Sequence, residues 1–334
     1  MTKAPTVSTR PKPYPPPEFP PRQPKLFART PPAIFPPILG LLGLAAALRL
    51  ALGRLGIDPG PGDLLAGVAV ALWTFAALAY GGKVARRPGV VVEDLRGLPG
   101  RSGLAALTMG GMVAAGLVAA YSDAAAGVLL VLALAGHAVL AVLLARLLLG
   151  LPPEARAVNP TLHLSFVGFI VATIPALALG WSWLAEALFW ATLPMALAIW
   201  AFSLRQFARA APPAPLRPLL AIHLAPAALF ATVAGLLARQ EFGVMFAGLG
   251  LVYAILLVAA GRWLLEAGVT AMWGAFTFPL AALAMALLVT GGVWLWPGIG
   301  VTGLGLVAIP WILWWILKRW PGGKLATVTN AAEA

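Results

Sequence analysis

Ten apolar stretches, most of them long enough to cross a membrane as a helix, occupy nearly the whole sequence after residue 31. They span about residues 33–53, 63–82, 103–121, 123–149, 161–180, 182–204, 218–238, 243–265, 270–291 and 298–317. A helix needs about 20 apolar residues to cross the hydrocarbon core. Only 10% of the 334 residues are charged, whereas soluble chains carry about 25%. The sequence therefore predicts an all-α integral membrane protein, and the short joins predict ten transmembrane helices arranged as five consecutive helical hairpins.

The basic residues are distributed unevenly over the joins between these stretches. With ten crossings both termini lie on one side, and that side holds nearly all of the 23 Lys and Arg residues, whereas the opposite joins hold only Arg54 and Arg239. Because loops rich in Lys and Arg stay in the cytoplasm, we predict a multi-pass protein of the inner (plasma) membrane with both termini cytoplasmic. The net charge of +12 is thus a topology signal, and it predicts membrane lipid, not nucleic acid, as a partner.

Composition divides the chain into three parts. Residues 1–31 are rich in proline and basic residues, and such a segment is predicted to be a disordered cytoplasmic tail. Residues 32–320 are the predicted membrane domain, and residues 321–334 a cytoplasmic C-terminal tail. The sequence contains no cysteine, which excludes disulfides and thiolate metal sites.

The five odd-numbered stretches, which run outward in this topology, share residues that interrupt or loosen a helix near their starts. Aligning them places Pro36, Gly110, Phe166, Pro226 and Pro279 at equivalent points, which indicates a weakly preserved repeat of one hairpin. Proline and glycine are also common in membrane helices generally, so no single position is diagnostic. As a repeated set, they predict five inner helices around a central pore lined by these residues, with the even-numbered stretches forming an outer ring toward lipid.

Aromatic residues directly precede two of these prolines, at Phe35 and Phe278. Proline bends its helix, so the ring of Phe278 beside Pro279 is predicted to lie at a constriction of the pore and to act as its gate. Phe35 is a further pore-lining candidate. The alternative for Phe278 is an aromatic residue packed against protein or lipid beside a kink.

Three segments resemble the tellurite-resistance/C4-dicarboxylate transporter family, which includes the plant slow-type anion channels. They are Pro32–Gly40 in the first stretch, Pro218–Pro226 in the seventh and Trp273–Pro279 in the ninth. The resemblance implies ten helices in five hairpins, a homotrimer with one pore in each subunit, and conduction of small anions. It also implies that a phenylalanine occludes the pore, and this residue falls on Phe278.

Three histidines lie within the apolar stretches. His163 and His223, each followed by leucine, occupy equivalent positions near the inner ends of the fifth and seventh stretches. We interpret them as candidates for hydrogen bonding or pH sensitivity in the inner vestibule, and His137 as a packing residue. A membrane haem protein with haem held by His163 and His223 is a remote alternative, because parallel helices at one level are poorly arranged for it.

No motif of a nucleotide-binding loop, a zinc protease or a serine hydrolase occurs in the sequence. We therefore predict no enzymatic activity, no cofactor and no metal site. No carboxylate lies convincingly at the middle of a stretch, so a relay for proton coupling is not evident. The sequence favours a passive anion channel or facilitator with a neutral pore, and the alternative is a secondary transporter for C4-dicarboxylates, sulfite or tellurite.

Overall fold

The computed structural model describes residues 25–152, 156 and 158–334, and all regular structure within these residues is helical. In chain order the α-helices are α1 (Phe35–Arg54), α2 (Gly60–Arg86), α3 (Val90–Arg96), α4 (Leu98–Val118), α5 (Asp123–Leu149), α6 (Thr173–Ala178), α7 (Ser182–Phe207), α8 (Leu224–Leu236), α9 (Gln240–Ala259), α10 (Gly261–Leu264), α11 (Gly274–Thr290), α12 (Leu295–Leu317) and α13 (Lys324–Val328). Short 3-10 segments precede five of them, at Pro32–Ile34, Gly168–Ala172, Ala214–His223, Ala271–Trp273 and Gly292–Trp294. The predicted all-α fold is confirmed.

Nine helical stretches of the described residues are long and apolar enough to cross a membrane, and they correspond to nine of the ten predicted stretches. The fifth is helical over His163–Ala178 but shorter. It consists of a π-helical turn at His163–Val167, a 3-10 segment at Gly168–Ala172, and then α6. Pro175 lacks a backbone donor and crowds the preceding turn, which explains why α-helical winding begins only at α6. The chain is a multi-pass membrane protein.

Burial separates the crossing segments into two rings. In the most apolar part of the spans that contain α1, α4, α8 and α11, between 67% and 83% of residues are buried, against 22% to 33% for α2, α5, α7, α9 and α12. We call the first group, together with His163–Ala178, the inner ring, and the second group the outer ring. The exposed apolar side chains of the outer ring are suited to a hydrocarbon environment.

The inner ring is closed. Helix α1 contacts α4, α4 contacts α6, α6 contacts α8, α8 contacts α11, and α11 contacts α1. Each inner helix also contacts the outer helix that follows it in the chain, from α1 with α2 to α11 with α12. The architecture is therefore five helical hairpins arranged as a ring within a ring, with the odd-numbered stretches inside.

The segments that flank the membrane domain pack against each other. Ala28 and Thr30 are buried, so packing begins before the predicted start of this domain, while residues 1–24 of the predicted tail lie outside the described residues. After α12, helix α13 buries Leu325, and the backbone N–H of Ala334 donates a hydrogen bond to the Ala28 carbonyl over 3.1 Å. The two flanking segments thus form a small folded layer beside the start of α1.

Candidate functional site

One cavity lies at the end of the inner ring where the inner segments begin. It encloses an open space of ≈ 300 Å³ and is lined by residues from all five inner segments, among them Pro36, Ser102, Leu164, Ile222 and Ala275. Each of these residues stands near the N-terminal end of its segment. We call this space the mouth cavity, because the five inner segments converge around it.

A second cavity, of ≈ 190 Å³, shares Leu164 with the mouth cavity. It is lined by residues that stand later in their segments, including Met109 of α4, Val167 and Gly168 of the broken fifth segment, and Pro226 and Leu229 of α8. We call it the deep cavity. The two cavities together mark a line of incomplete packing within the ring of inner helices.

No charged side chain of the described residues lines either cavity. Ser102 is the polar side chain at the mouth cavity, and its hydroxyl lies 3.1 Å from the carbonyl oxygens of Leu98 and Pro99, both in its own helix. His163 is the polar side chain at the deep cavity. The space inside the ring is therefore neutral and largely apolar.

A buried basic residue without an ion-paired carboxylate stands next to Ser102 in α4. This residue, Arg101, is buried, and its Nε donates to the carbonyl of Leu95 over 2.7 Å. Within the described part of the chain no carboxylate forms an ion pair with it. Its guanidinium faces the carbonyls of Leu95 and Arg96 at the end of α3, and the side chain does not line the mouth cavity.

Phe278, the predicted gate, lies at the contact between two inner helices. Its side chain is 5% exposed, and its ring faces Gly43 of α1, where an added methyl group would stand 3.6 Å from ring carbon Cδ2. Gly43 therefore leaves room for the ring against α1. Phe278 lines neither of the two cavities, whereas Ala275, one turn earlier in α11, lines the mouth cavity.

Two of the predicted pore-lining residues face the outer ring. The ring of Phe35 packs edge-to-face against Tyr80 of α2, with centroids 6.1 Å apart. A methyl group at Gly110 would stand 2.7 Å from the indole of Trp73, also on α2, so this glycine permits close contact between α4 and α2. An alignment by position along the helix does not determine which side of a helix a residue occupies.

The other predicted pore-lining residues have different surroundings. Pro36 lines the mouth cavity and Pro226 lines the deep cavity. Pro279 is buried within α11, and Phe166 is half-buried in the π-helical turn and packs against the hydrophobic core. Of the aligned set, the two prolines of α1 and α8 are thus the ones found at cavities.

His163 and His223 are in direct contact. Nε2 of His163 lies 3.0 Å from Nδ1 of His223, and the two rings meet edge-to-face at 84°. The sequence analysis placed both residues near the inner ends of neighbouring segments and did not predict that their side chains touch. Trp200 of α7 holds the backbone here, since its indole N–H donates to the His223 carbonyl over 3.2 Å.

The direct contact between these histidines leaves no space for a metal ion between them. Imidazole nitrogens that ligate a metal such as zinc stand about 2.0–2.1 Å from the ion, so two opposed ligands stand about 4 Å apart. The observed separation is 3.0 Å. Moreover, no group of three or more metal-ligating side chains occurs among the described residues. The histidine pair does not fit the axial ligation that the haem alternative requires.

The sequence analysis missed a buried ion pair at the end of α2. Nζ of Lys83 lies 2.9 Å from Oδ2 of Asp94, and both side chains are fully buried. Lys83 also donates to the carbonyl of Thr30 over 3.1 Å, and Asp94 accepts from the Tyr80 hydroxyl at 2.8 Å. In the sequence, Lys83 is one of the basic residues that predict the orientation in the membrane, and nothing there pairs it with a residue outside its own helix.

A comparison with known protein families finds one that matches most of this chain. A family model described as voltage-dependent anion channel matches residues 29–318, a range that contains every crossing segment and both cavities. No curated protein matches the chain.

Proposed function

Because the chain belongs to the voltage-dependent anion channel family, we propose that it conducts small anions passively along the axis of the inner ring. The observation that carries this proposal is the pair of adjoining cavities inside a closed ring, lined by no charged side chain. A neutral passage binds an anion weakly, and weak binding allows it to leave as readily as it enters.

Preference for anions would come from charges placed around the passage and not within it. All five inner segments begin at the mouth cavity, so the positive ends of their helix dipoles converge there. Arg101 adds a cationic charge without an ion-paired carboxylate at the same end. Together these features favour a negative ion at the mouth and disfavour a cation.

We propose that Phe278 closes this passage. Its ring is buried at the contact of α11 with α1, one turn beyond a residue of the mouth cavity and directly before Pro279, which loosens the helix. In this proposal the ring blocks the passage at the contact of α11 with α1, beyond the mouth cavity. Flux would then require displacement of this one side chain.

Replacing Phe278 by Ala tests the proposal in liposomes that contain the purified protein. We expect chloride or nitrate flux to rise severalfold while potassium flux stays at background, because the ring is removed and the surrounding charges remain. If Phe278 only packs in the core, the Ala variant should lose about 3–5 kcal/mol of stability without a gain of flux. That result would contradict the proposal. Phe276→Ala is the matched control, since Phe276 packs against Trp273 with centroids 5.9 Å apart.

The same assay separates a channel from a coupled transporter. The described residues that line the cavities include no carboxylate that could exchange a proton with the transported anion. We therefore expect anion flux to continue when a protonophore collapses the proton gradient. Flux of a C4-dicarboxylate, sulfite or tellurite that stops under these conditions would favour a secondary transporter instead.

The distribution of Lys and Arg supports the orientation that we propose, and the family resemblance supports the assembly. We propose that the protein resides in the inner (plasma) membrane, that both termini are cytoplasmic, and that it assembles as a homotrimer in which each subunit has its own passage. Native mass spectrometry of the detergent-solubilised full chain tests the assembly, and a monomeric or dimeric mass would contradict it.

A further inference from the structure

Three aromatic rings from distant parts of the chain meet on the outer surface of α2. Residues 26–29, before α1, form a turn, and the ring of Phe27 in this turn packs edge-to-face against Phe75 of α2, with centroids 5.9 Å apart. Trp320, which follows α12, also contacts Phe75, with centroids 5.7 Å apart. We call these three residues the aromatic cluster. It joins the segment before α1, the outer helix α2 and the segment after α12.

The aromatic cluster lies in an exposed apolar surface. Phe75 is half exposed, and Leu78, three residues later in α2, is exposed. These side chains are suited to lipid, as in the rest of the outer ring. Leu26, next to Phe27, lies outside the crossing helices and is still 71% exposed. Apolar residues exposed side by side mark a contact with a membrane or a partner.

Four basic side chains beside the aromatic cluster have no ion-paired carboxylate among the described residues. They are Lys25, Arg86, Lys318 and Arg319. Other basic residues at this end of the helices are paired, since Arg29 lies 2.8 Å from Glu333 and Arg87 lies 2.5 Å from Glu93. These two pairs cancel their own charge, whereas the four unpaired residues leave a positive charge beside the aromatic cluster.

Two of the four basic residues adjoin the turn that contains Phe27. Lys25 directly precedes this turn and is exposed. Arg86 is the last residue of α2, and its Nη1 donates a hydrogen bond to the carbonyl of Leu26 in the turn. Both positive charges therefore stand at the side of the aromatic cluster where Leu26 is exposed.

The other two basic residues directly precede Trp320. Nζ of Lys318 lies 3.7 Å from the ring centroid of Trp314, and the guanidinium of Arg319 lies 3.1 Å from that of Trp315. Arg319 also donates to the carbonyl of Trp315 over 2.9 Å. Tryptophan and basic residues combined in this way are typical of the boundary between hydrocarbon and headgroups. The end of α12 therefore lies at headgroup level.

The turn is held in place by contacts on both sides of Phe27. The φ angle of Phe27 is 64°, a backbone conformation that a bulky side chain rarely adopts and that persists only where the surroundings enforce it. The next carbonyl, of Ala28, accepts from the N–H of Ala334 over 3.1 Å, and the carbonyl of Thr30 accepts from Lys83 over 3.1 Å. Leu26 is therefore presented beside α2 in a fixed position.

We propose that the aromatic cluster and the four basic residues bind one anionic phospholipid. The phosphate accepts hydrogen bonds from the lysine and arginine side chains, and one acyl chain packs along Phe75, Leu78 and Leu26. A zwitterionic headgroup carries an ammonium group that the four unpaired cations repel, so the site prefers a headgroup with net negative charge. In the orientation proposed above, this lipid belongs to the inner leaflet. The site does not depend on anion conduction.

Native mass spectrometry of the full chain in detergent tests binding, with dioleoyl phosphatidylglycerol as the probe. We expect saturable adducts of this lipid at concentrations about tenfold below those needed for dioleoyl phosphatidylcholine, which has the same acyl chains but no net charge. Glycerol 3-phosphate carries the phosphate without the chains, and it should leave the lipid adducts unchanged. If it displaced the lipid at comparable concentration, the ligand would be a free phosphate and the lipid site would be overturned.

The double variant Lys25→Gln/Lys318→Gln tests the charges. Neither ammonium donates a hydrogen bond to the rest of the described chain, so the variant should fold normally. Binding of phosphatidylglycerol should weaken by about 25-fold, or about fivefold for each positive charge removed, and binding of phosphatidylcholine should change little. Arg205→Gln/Arg209→Gln is the matched control. It removes two exposed positive charges at the end of α7, a helix that packs against α6 and α8, and should leave binding nearly unchanged.

Leu26→Ser tests the apolar part of the site. Leu64, in the first turns of α2, is the matched control, because it is 72% exposed and Leu26 is 71% exposed. Neither substitution opens a cavity in the core. We expect Leu26→Ser to weaken binding of phosphatidylglycerol severalfold and Leu64→Ser to leave it unchanged.

Four results would overturn the site. Absence of saturable lipid adducts would leave the exposed apolar surface to a protein partner. Equal affinity for phosphatidylglycerol and phosphatidylcholine would remove the role of charge. Equal weakening in the two double variants would place the lipid elsewhere, and equal binding by Leu26→Ser and Leu64→Ser would remove the turn from the site. None of these results bears on the proposed conduction, which the flux of Phe278→Ala tests separately.

Discussion

The hydroxyl of Thr277 lies 3.0 Å from the carbonyl oxygen of Pro36 in α1 and 2.7 Å from that of Gly274 in its own helix, so its single hydrogen is shared between the two helices. Thr277 directly precedes Phe278, and Pro36 lines the mouth cavity. A methyl group at Gly40 would come within 2.9 Å of the Thr277 carbonyl carbon, so this contact needs a glycine in α1. The position of the Phe278 ring is thus set by the contact between the two inner helices.

Thr277→Val should loosen this contact. The substitution keeps the shape of the side chain but removes the donor to Pro36, so we expect a loss of about 1 kcal/mol in the free energy of unfolding and a rise in basal anion flux. Thermal unfolding in detergent and liposome flux measure the two effects. Thr290→Val is the control, because the Thr290 hydroxyl bonds only to the Ala286 carbonyl of its own helix. Equal effects of both variants would contradict a role for the link between helices.

Gly40→Ala should force α1 and α11 apart. Its methyl group has no space beside Thr277, and overpacking of this kind costs about 1–3 kcal/mol. Gly67→Ala in the outer helix α2 is the matched control, because no atom lies within 4 Å of the added methyl group there. We expect that control to be neutral or to stabilise by up to about 1 kcal/mol. If thermal unfolding shows no difference between the two variants, the close approach of α1 and α11 is not as described.

Asp94→Asn should be among the more destabilising single substitutions in this chain. It leaves the fully buried Lys83 ammonium without its carboxylate, and the removal of one partner of a buried pair costs about 3–5 kcal/mol. Replacing Lys83 by Met in the same variant removes the unpaired charge and should restore most of this loss. Chemical or thermal unfolding of both variants measures the difference. If the double variant is as unstable as Asp94→Asn, the loss of stability comes from the hydrogen bonds of Tyr80 and Ala332 to Asp94 and not from the unpaired charge of Lys83.

The neighbouring exposed pair of Arg87 and Glu93 serves as a contrast. Their side chains lie 2.5 Å apart at the surface, and Glu93→Gln should change stability little, because water screens exposed charges. The hydrogen bond from Arg87 holds the pKa of Glu93 below its ordinary value of 4.5. Any stabilisation from this pair is therefore complete above that pH and is lost only as the pH falls through the lowered pKa. We expect the small difference in stability between the two proteins to stay constant between pH 6 and 8, because Glu93 is ionised throughout that range.

The proposed orientation can be tested with single cysteines, because the natural sequence has none. Arg54 and Arg209 are both exposed, at opposite ends of the predicted topology. In intact cells, Arg54→Cys should react with a membrane-impermeant maleimide from outside, whereas Arg209→Cys should react only after permeabilisation. The reverse pattern would place both termini outside.

Nine of the ten crossing segments, their helical nature and their order in hairpins could be predicted from the sequence alone. Each depends on the summed hydropathy of about 20 consecutive residues. This sum can be taken from one stretch of sequence without knowing which other helices pack against it. The division into inner and outer helices could also be predicted, because helix-loosening residues recur in the odd-numbered stretches and burial follows the same division. The internal structure of the fifth segment could not be predicted. Its π-helical turn depends on packing against other helices, which hydropathy does not report.

Which side of each helix faces the axis was decided only by the tertiary structure. Pro36 and Pro226 line cavities, whereas Phe35 and Gly110 face α2, although all four were predicted to line the pore. A helix that is apolar all round carries no polar face to indicate its rotation, and one residue of rotation turns a side chain by about 100°. The pairing of Lys83 with Asp94 and the exact contact of His163 with His223 depend on the same rotations. The apolar length of a segment determines that it crosses the membrane. Only its contacts with other segments determine which of its side chains face the passage.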